Sequence, residues 1–247
     1  MGPRVHVVRL DRNLGCAGRN VGVSLVTSPY VAFSDDDSWW QPGSLVRAAD
    51  LFDAHSALGL LAARILVGPQ KKLDRLSHAM ATGLLAEGPA RSKKQVGIPI
   101  VGFAACGSVL RRSAFLEAGG FEQRFGVGGE EQVLALDMLR TGWELAYDDD
   151  MVAYHHPSPA RDPEKRKRHE VRNALWSAWL RRPVASAWAA TRQILQSSLA
   201  DPASRAGIRD AVSGLPWVLS ARHPVPMQID RQLQVAEKAW ANMSRSS

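Results

Sequence analysis

The stretch FSDDDSWWQPG, residues 33–43, decides how the rest of the chain is read. It follows a short apolar run, YVAF (30–33), that suits a buried strand, and it ends on a Pro-Gly pair. Three adjacent carboxylates repel one another and are costly to desolvate. Either water solvates them on a turn, or a cation is held there. After the Pro-Gly pair, PGSLVRAADLFDAH (42–55) places Leu45, Ala48, Ala49 and Phe52 at helical spacing. Strand, acidic loop and helix make one α/β unit.

Outward from that unit the alternation continues. VHVVRL (5–10) and LGLLAARILV (58–67) read as strands, and NLGCAGRNVGVSLVTS (13–28) as a glycine-led segment that becomes helical. Residues 68–97 are polar and Gly/Pro-punctuated, a loop with room for one helix. VGFAACGSVLRRSAFLEAGGF (101–121) predicts a strand and a short helix closed by Gly119-Gly120. EEQVLALDMLRTGW (130–143) is an amphipathic helix, and ELAYDDDMVAYHH (144–156) two strand pieces around an acidic turn. The alternation predicts an α/β fold: a Rossmann-like, mostly parallel sheet flanked by helices. Past PSPARDPEKRKRHE (157–170) the pattern turns helical over 171–200 and 203–220, with Trp176, Trp179, Trp188 and Trp217 among arginines. The expected organisation is therefore a domain over 1–160 and a basic helical C-terminal extension over 161–247.

Charge divides the same way. Residues 160–247 hold 15 Lys/Arg against 7 Asp/Glu, whereas residues 1–159 are nearly balanced at 16 against 17. A basic, Trp-bearing segment suits anionic lipid, nucleic acid or an acidic partner; it equally suits a solvated helix surface. EKRKRHEVR (164–172) has no nucleic-acid recognition fold around it, so no nucleic acid is expected and a peripheral membrane contact is. The two cysteines, Cys16 and Cys106, form no C-x-x-C pair, which argues against a thiolate zinc site or disulfide framework and fits a cytoplasmic location. The longest apolar run, IPIVGFAACGSVL (98–110), is too short to span a bilayer, and no signal-peptide pattern opens the chain.

The polar clusters supply the chemistry. Asp35, Asp36 and Asp37 lie at the C-terminal end of a strand, the edge where open α/β sheets bind ligands. Mg²⁺ and Mn²⁺ take such oxygen ligands together with substrate phosphates. GVGGEEQ (126–132) leads glycines into Glu130 and Glu131 at a helix start. Acidic residues suit that position through the helix dipole alone, or one of them is a general base. YHHPS (154–158) sets His155 and His156 at a strand end, where imidazole either ligates a metal or makes structural hydrogen bonds. The run Asp148–Asp150 reads as a solvated turn.

Taken in order, NLGCAGRNVG, a strand, DDD, GSVLRRSAFLEAGGF, GGEEQVLALDMLRTGW and VAYHH resemble the family 2 glycosyltransferases of GT-A fold, over roughly residues 4–158. The resemblance implies an inverting, metal-dependent transfer of a sugar from a nucleotide-diphosphate sugar to an acceptor hydroxyl. It implies that Asn13, Gly15, Ala17, Arg19 and Asn20 shape the nucleotide-sugar pocket. Asp35-Asp36-Asp37 match the Asp-x-Asp motif, with Asp35 and Asp37 on Mn²⁺ or Mg²⁺ and Asp35 and Asp36 toward the diphosphate. His155 or His156 completes the metal site. Glu130-Glu131 match the family's Glu-Asp pair, with Glu in place of the usual Asp second, so either is open as the base. Trp39 and Trp40 are expected either to wall the sugar or acceptor or to cover the sheet edge.

One departure stands out. The family's opening strand, helix and second strand normally precede the segment matching VHVVRLDRN, so the expectation is an N-terminally incomplete domain. A non-catalytic binding or scaffold protein is then the competing reading, and a metal-dependent phosphotransferase or hydrolase a third. The third lacks support, because GCAGRN has no Gly-Lys-Ser/Thr ending. Acceptors in a cell envelope, on a lipid or on a metabolite, met at the inner face of the cytoplasmic membrane, fit the resemblance.

Overall fold

A computed structural model describes residues 5–82, 96–158 and 162–245. A 3-10 turn at Gly15–Ala17 runs into α1 (Gly18–Leu25), followed by β1 (Tyr30–Ala32), β2 (Ser38–Trp40), α2 (Ser44–Ala54) and β3 (Leu58–Val67). Then come β4 (Lys72–Leu73), α3 (Arg75–Ala81), β5 (Ile98–Pro99), β6 (Ser108–Arg111), α4 (Arg112–Glu117), α5 (Glu130–Arg140) and β7 (Glu144–His155). Five helices follow: α6 (Pro163–Arg181), α7 (Val184–Ser198), α8 (Pro202–Ser213), α9 (Leu215–Ser220) and α10 (Met227–Arg245).

The main sheet runs β1-β6-β3-β7-β2, with β4 on β3 and β5 on β7. The α/β layering expected from the sequence is present, but the ladders are mixed: β3–β7 is parallel, and the other pairings are antiparallel. The short strands β2, β4 and β5, two or three residues each, carry no hydrophobic run and add three of the antiparallel pairs; β6, antiparallel to both β1 and β3, adds the other two. Alternation along β3 splits the core. Leu60 and Ala62 face α4 and α5 with Phe115, Leu134 and Leu136, while Leu61, Ala63 and Ile65 face α2 with Ala48 and Phe52. Each fully buried leucine contributes about 1.5–3 kcal/mol.

Two expectations are corrected. VHVVRL forms no strand: Val5, Val7 and Val8 are 77%, 78% and 50% exposed, and no described strand pairs with them. An alternating apolar segment without a ladder partner has no pleated surface to join. The acidic run 148–150 is not a turn between two strands. β7 is one strand whose pairing jumps from Ala63↔Asp148 to Arg64↔Val152, so that Asp149–Met151 bulge out. Arginines neutralise the bulge: Arg47 of α2 contacts Asp148 and Asp150, each at 2.9 Å, and Arg64 contacts Asp149 at 3.3 Å.

The helices after β7 share the core of the sheet domain. Phe125 and Val133 pack with Val171, Leu175, Trp176 and Leu180 of α6, and with Ala211 and Val218. Arg181 of α6 also takes the buried Asp137 of α5 through two bonds, of 2.6 and 2.9 Å. α6 starts where Asp162 accepts from the Lys165 N–H (3.0 Å) with Pro163 in the first turn.

Candidate active site

Three loops and one strand end meet. In the first loop, Asn13 Oδ1 accepts the Gly15 N–H at 2.7 Å and so shapes the turn. Gly15 has φ +58°, and a Cβ there would stand 2.5 Å from the Gly126 carbonyl oxygen. That carbonyl accepts the Cys16 N–H at 2.7 Å, so the loop before α1 touches the glycine loop before α5 backbone to backbone. Ala17 is buried behind this contact. Asn20 does not face open space. Its amide donates to the Phe121 carbonyl (2.8 Å) and accepts the Phe121 N–H (2.9 Å), clasping α1 to the segment after α4.

Arg19 reaches the second loop and pairs with Asp35. Asp35 N–H is held by Ser38 Oγ at 2.7 Å, and Asp36 is exposed. Asp37 lies beside the end of β7: His155 Nε2 is 3.3 Å from Asp37 Oδ1, and the His156 N–H donates to the Asp37 carbonyl at 2.8 Å. The two histidines part company here. His155 faces the Asp37 carboxylate, whereas the His156 ring packs edge-on against Trp39 at 4.9 Å. Trp39 is 47% exposed and stacks on Tyr154, while the Trp40 indole N–H donates to the Phe33 carbonyl at 3.2 Å.

The third loop ends in the two glutamates. Gly126, Gly128 and Gly129 all have positive φ, and they turn the chain into α5. Glu130 is buried and its Oε2 has no hydrogen-bond partner; burial pushes its pKa up, opposed by its own N–H and by Arg19. Glu131 is half-buried and accepts the Ala105 N–H at 2.7 Å. Burial, and then the neighbouring Glu130 charge, push its pKa up to about 7. The charges of Arg19 and Asp35 act on both glutamates, so these four groups form one electrostatic cluster. Burial pushes the Cys16 and Cys106 thiols up to about 12, which leaves neither as a thiolate nucleophile near neutral pH.

Among the described residues no group of three or more His, Cys, Asp and Glu is arranged to hold a metal ion. Asp37 with His155 is a two-donor set. Ligands at ~2.1 Å on adjacent octahedral corners sit about 3.0 Å apart, so the 3.3 Å gap suits two sites of a small divalent cation. Mg²⁺ sites characteristically leave the remaining positions to water and phosphate oxygens. The donor chemistry therefore fits Mg²⁺ or Mn²⁺. Asp35 pairs with Arg19.

Two contributors escaped the sequence reading. Asn173 of α6, fully buried, donates its amide to the Phe125 (3.0 Å) and Val127 (3.2 Å) carbonyls and also to Gly128. Arg172 donates to the Phe125 carbonyl at 2.7 Å. Together they hold the glycine loop from behind. The only hint was a polar Asn within an otherwise apolar helical stripe.

This geometry can be set beside known proteins. Residues 1–119 match the model described as glycosyl transferase family 2. Over that segment, just under half of the chain, the sequence resembles the family 2 glycosyl transferases. The match ends before Glu130, so the acidic pair and the histidines lie beyond it. Among solved structures, S. aureus TarS 1–349 in complex with UDP-GlcNAc aligns at TM-score 0.54 and 14% identity, over 96% of this chain and 72% of that one. GalNAc-T7 with UDP, GalNAc and Mn²⁺ aligns at TM-score 0.52 and 11% identity, over 70% of this chain and 36% of that one. At such identities the likeness is one of fold, and the fold is GT-A. The chain spans 28% of a further TarS structure. No curated protein matches the chain. Among the described residues no helix is long and apolar enough to cross a membrane.

Proposed function

We propose that this chain carries the transfer site of an inverting glycosyltransferase that moves a sugar from a nucleotide-diphosphate sugar to an acceptor hydroxyl. The observation that carries the reading is the convergence of Glu131, its pKa raised to about 7, with Arg19, Asp35 and the Asp37–His155 pair across three separate loops. The family match to residues 1–119 supports it.

In this reading Glu131 accepts the proton of the acceptor hydroxyl as that oxygen attacks the anomeric carbon from the face opposite the leaving nucleoside diphosphate. A base with a pKa near the working pH is the effective one. The Ala105 N–H fixes the carboxylate rotamer and leaves its other oxygen to take the proton. Glu130, buried against the loop, tunes Glu131 by its charge rather than acting itself. Asp37 and His155 would hold Mn²⁺ or Mg²⁺, which when bound supplies positive charge to the leaving diphosphate. Arg19 adds a fixed guanidinium on the same side, positioned by Asp35. Asn13 and Gly15 shape the turn that enters α1, which carries Arg19, and Asn20 clasps that helix to Phe121. An envelope or lipid-linked acceptor met at the inner face of the cytoplasmic membrane is consistent with the cation-rich segment 160–247.

Calorimetric titration of UDP, GDP and dTDP, with and without Mn²⁺, tests the donor half of the proposal. Binding that needs Mn²⁺ and is lost in Asp37→Ala is the expected result, and the nucleotide that binds names the base. A folded protein that binds none of the three in either condition overturns it in favour of a non-catalytic scaffold.

A further inference from the structure

Next to α6, a second constellation adjoins the candidate active site through Arg172, which also holds the glycine loop. A cleft of roughly 480 Å³ is lined by Arg124, Arg172, Trp176, Asp210, Gly214 and Trp217. Two guanidinium groups lie over two indoles: Arg124 Cζ is 4.7 Å from the Trp217 ring centre, and Arg172 Cζ is 4.6 Å from that of Trp176. The indoles meet edge to face at 5.1 Å. Trp176 is buried and anchored by its indole N–H to the Ala211 carbonyl at 3.0 Å. A Cβ at Gly214 would stand 2.5 Å from the Trp176 ring, so only glycine lets the backbone pass there. The aromatic walls are rigid, and they hold the cations in place.

The charges in this cleft do not balance. Asp210 is the one carboxylate among the lining residues, and Arg168 takes it with two bonds, of 2.6 and 2.8 Å. Arg124 has only a 3.4 Å contact with Glu122. Arg172 is half-buried and pairs with no carboxylate among the described residues. Its Nε donates to Asn173 Oδ1 (2.9 Å) and its Nη2 to the Phe125 and Arg124 carbonyls (2.7 and 3.4 Å), so Nη1 carries none of these bonds. The nearby Asp210 charge acts on Arg172 but is shared with Arg168, so the desolvation of Arg172 is only partly offset, and an incoming anion relieves that cost. The surroundings register the excess of cations: the His169 pKa is lowered by burial and then by Arg172, Lys165 and Arg168.

We infer that this cleft binds a phosphate group, with Arg124 and Arg172 donating to its oxygens and Trp217 contacting the body that carries it. Paired guanidiniums suit phosphate because their planar forks offer parallel N–H donors. A soluble phosphate ester and a phospholipid headgroup present the same group.

The test uses the full chain and does not depend on sugar transfer. Indole N–H resonances of Trp176 and Trp217 are followed by nitrogen-15 NMR as inorganic phosphate is added. A saturable shift is expected, weakened about tenfold or more in Arg124→Gln. It should be unchanged in Arg192→Gln, an exposed charge-matched control on α7. Arg124 is itself exposed, so that variant folds even if Arg172→Lys does not. Vesicle flotation on phosphatidylglycerol and phosphatidylcholine separates the sources. Binding to phosphatidylglycerol alone, competed by phosphate and reduced in Arg124→Gln, supports the headgroup. A phosphate shift without vesicle binding supports the soluble ester. A titration that stays linear, or one that gives Arg124→Gln and Arg192→Gln the same affinity, overturns the site.

Discussion

The raised pKa of Glu131 comes from a conflict between burial and charge. One backbone donor, the Ala105 N–H, favours the carboxylate, but desolvation and Glu130 outweigh it and raise the pKa from 4.5 to about 7. As a base Glu131 must be deprotonated, so kcat/KM is expected to rise with pH through about 7 and to level off above it. Glu131→Gln should abolish that limb and cost about 10²–10⁴-fold in rate, with nucleotide affinity retained. The same shift sets stability with the opposite sense. A carboxyl whose pKa is raised on folding stabilises the fold fully below pH 4.5, and that contribution is lost as pH rises through about 7. Urea unfolding of the wild type should therefore weaken across that window relative to Glu131→Gln. The sequence made the acidic and imidazole pairs legible, but not which member of each pair acts. Adjacent residues on a helix point 100° apart, so Glu130 turns inward while Glu131 meets Ala105. Likewise His155 meets Asp37 while His156 meets Trp39.

The element that aims Glu131 is the glycine loop, and α6 sets its shape. Asn173 satisfies carbonyls of Phe125, Val127 and Gly128 that the turn leaves without strand or helix partners. Gly15 lets the opposite loop close on Gly126, so the turn is clamped from two sides. Asn173→Ala removes one clamp without adding bulk; the Phe125 carbonyl keeps its Arg172 donor, those of Val127 and Gly128 lose theirs, and buried unpaired carbonyls cost about 1–3 kcal/mol each. A loss on the order of 3 kcal/mol in urea denaturation is expected, with kcat falling more than KM rises, because the base moves while the donor loops stay. A loss below about 0.5 kcal/mol with kcat intact would sink the clamp, since that is the scale of an ordinary surface substitution. The glycines at 126, 128 and 129 announced a sharp turn before a helix, and the turn is there. Asn173 was illegible as its partner, because the 45 residues between Asn173 and Gly128 include β7, and contact across that span is settled only by packing.

At the scale of the whole molecule, apolar contacts cross the expected boundary near residue 160, from Phe125 and Val133 to Val171, Leu175 and Trp176. Strand and helix alternation was readable as far as β7 because each element carries its own periodicity. The stacking of α6–α10 onto α5 was not, because it rests on paired charges and tryptophans distant in sequence. The clearest case is Arg182, buried where α6 ends. It binds Asp230 of α10 at 2.9 Å and Glu237 at 2.8 Å, and Asp230 is fully buried with further donors from Ser186 (2.6 Å) and Gln234 (2.7 Å). Removing the cation alone strands a buried carboxylate, so Arg182→Met should cost about 3–5 kcal/mol, a large share of the 5–15 kcal/mol typical of a domain. Adding Asp230→Asn should recover part of that loss, because the stranded charge goes with it. Five of the eight tryptophans, at 176, 179, 188, 217 and 240, lie in α6–α10 and weight the fluorescence toward the helices, whereas circular dichroism reports on the whole fold. If α5 and α6 form one cooperative unit through Phe125, Val133, Val171 and Leu175, both probes must give one coincident transition in the wild type and in Arg182→Met. A fluorescence transition preceding the dichroism transition would separate the helices from the sheet as an independent unit, as the expected boundary at 160 implies.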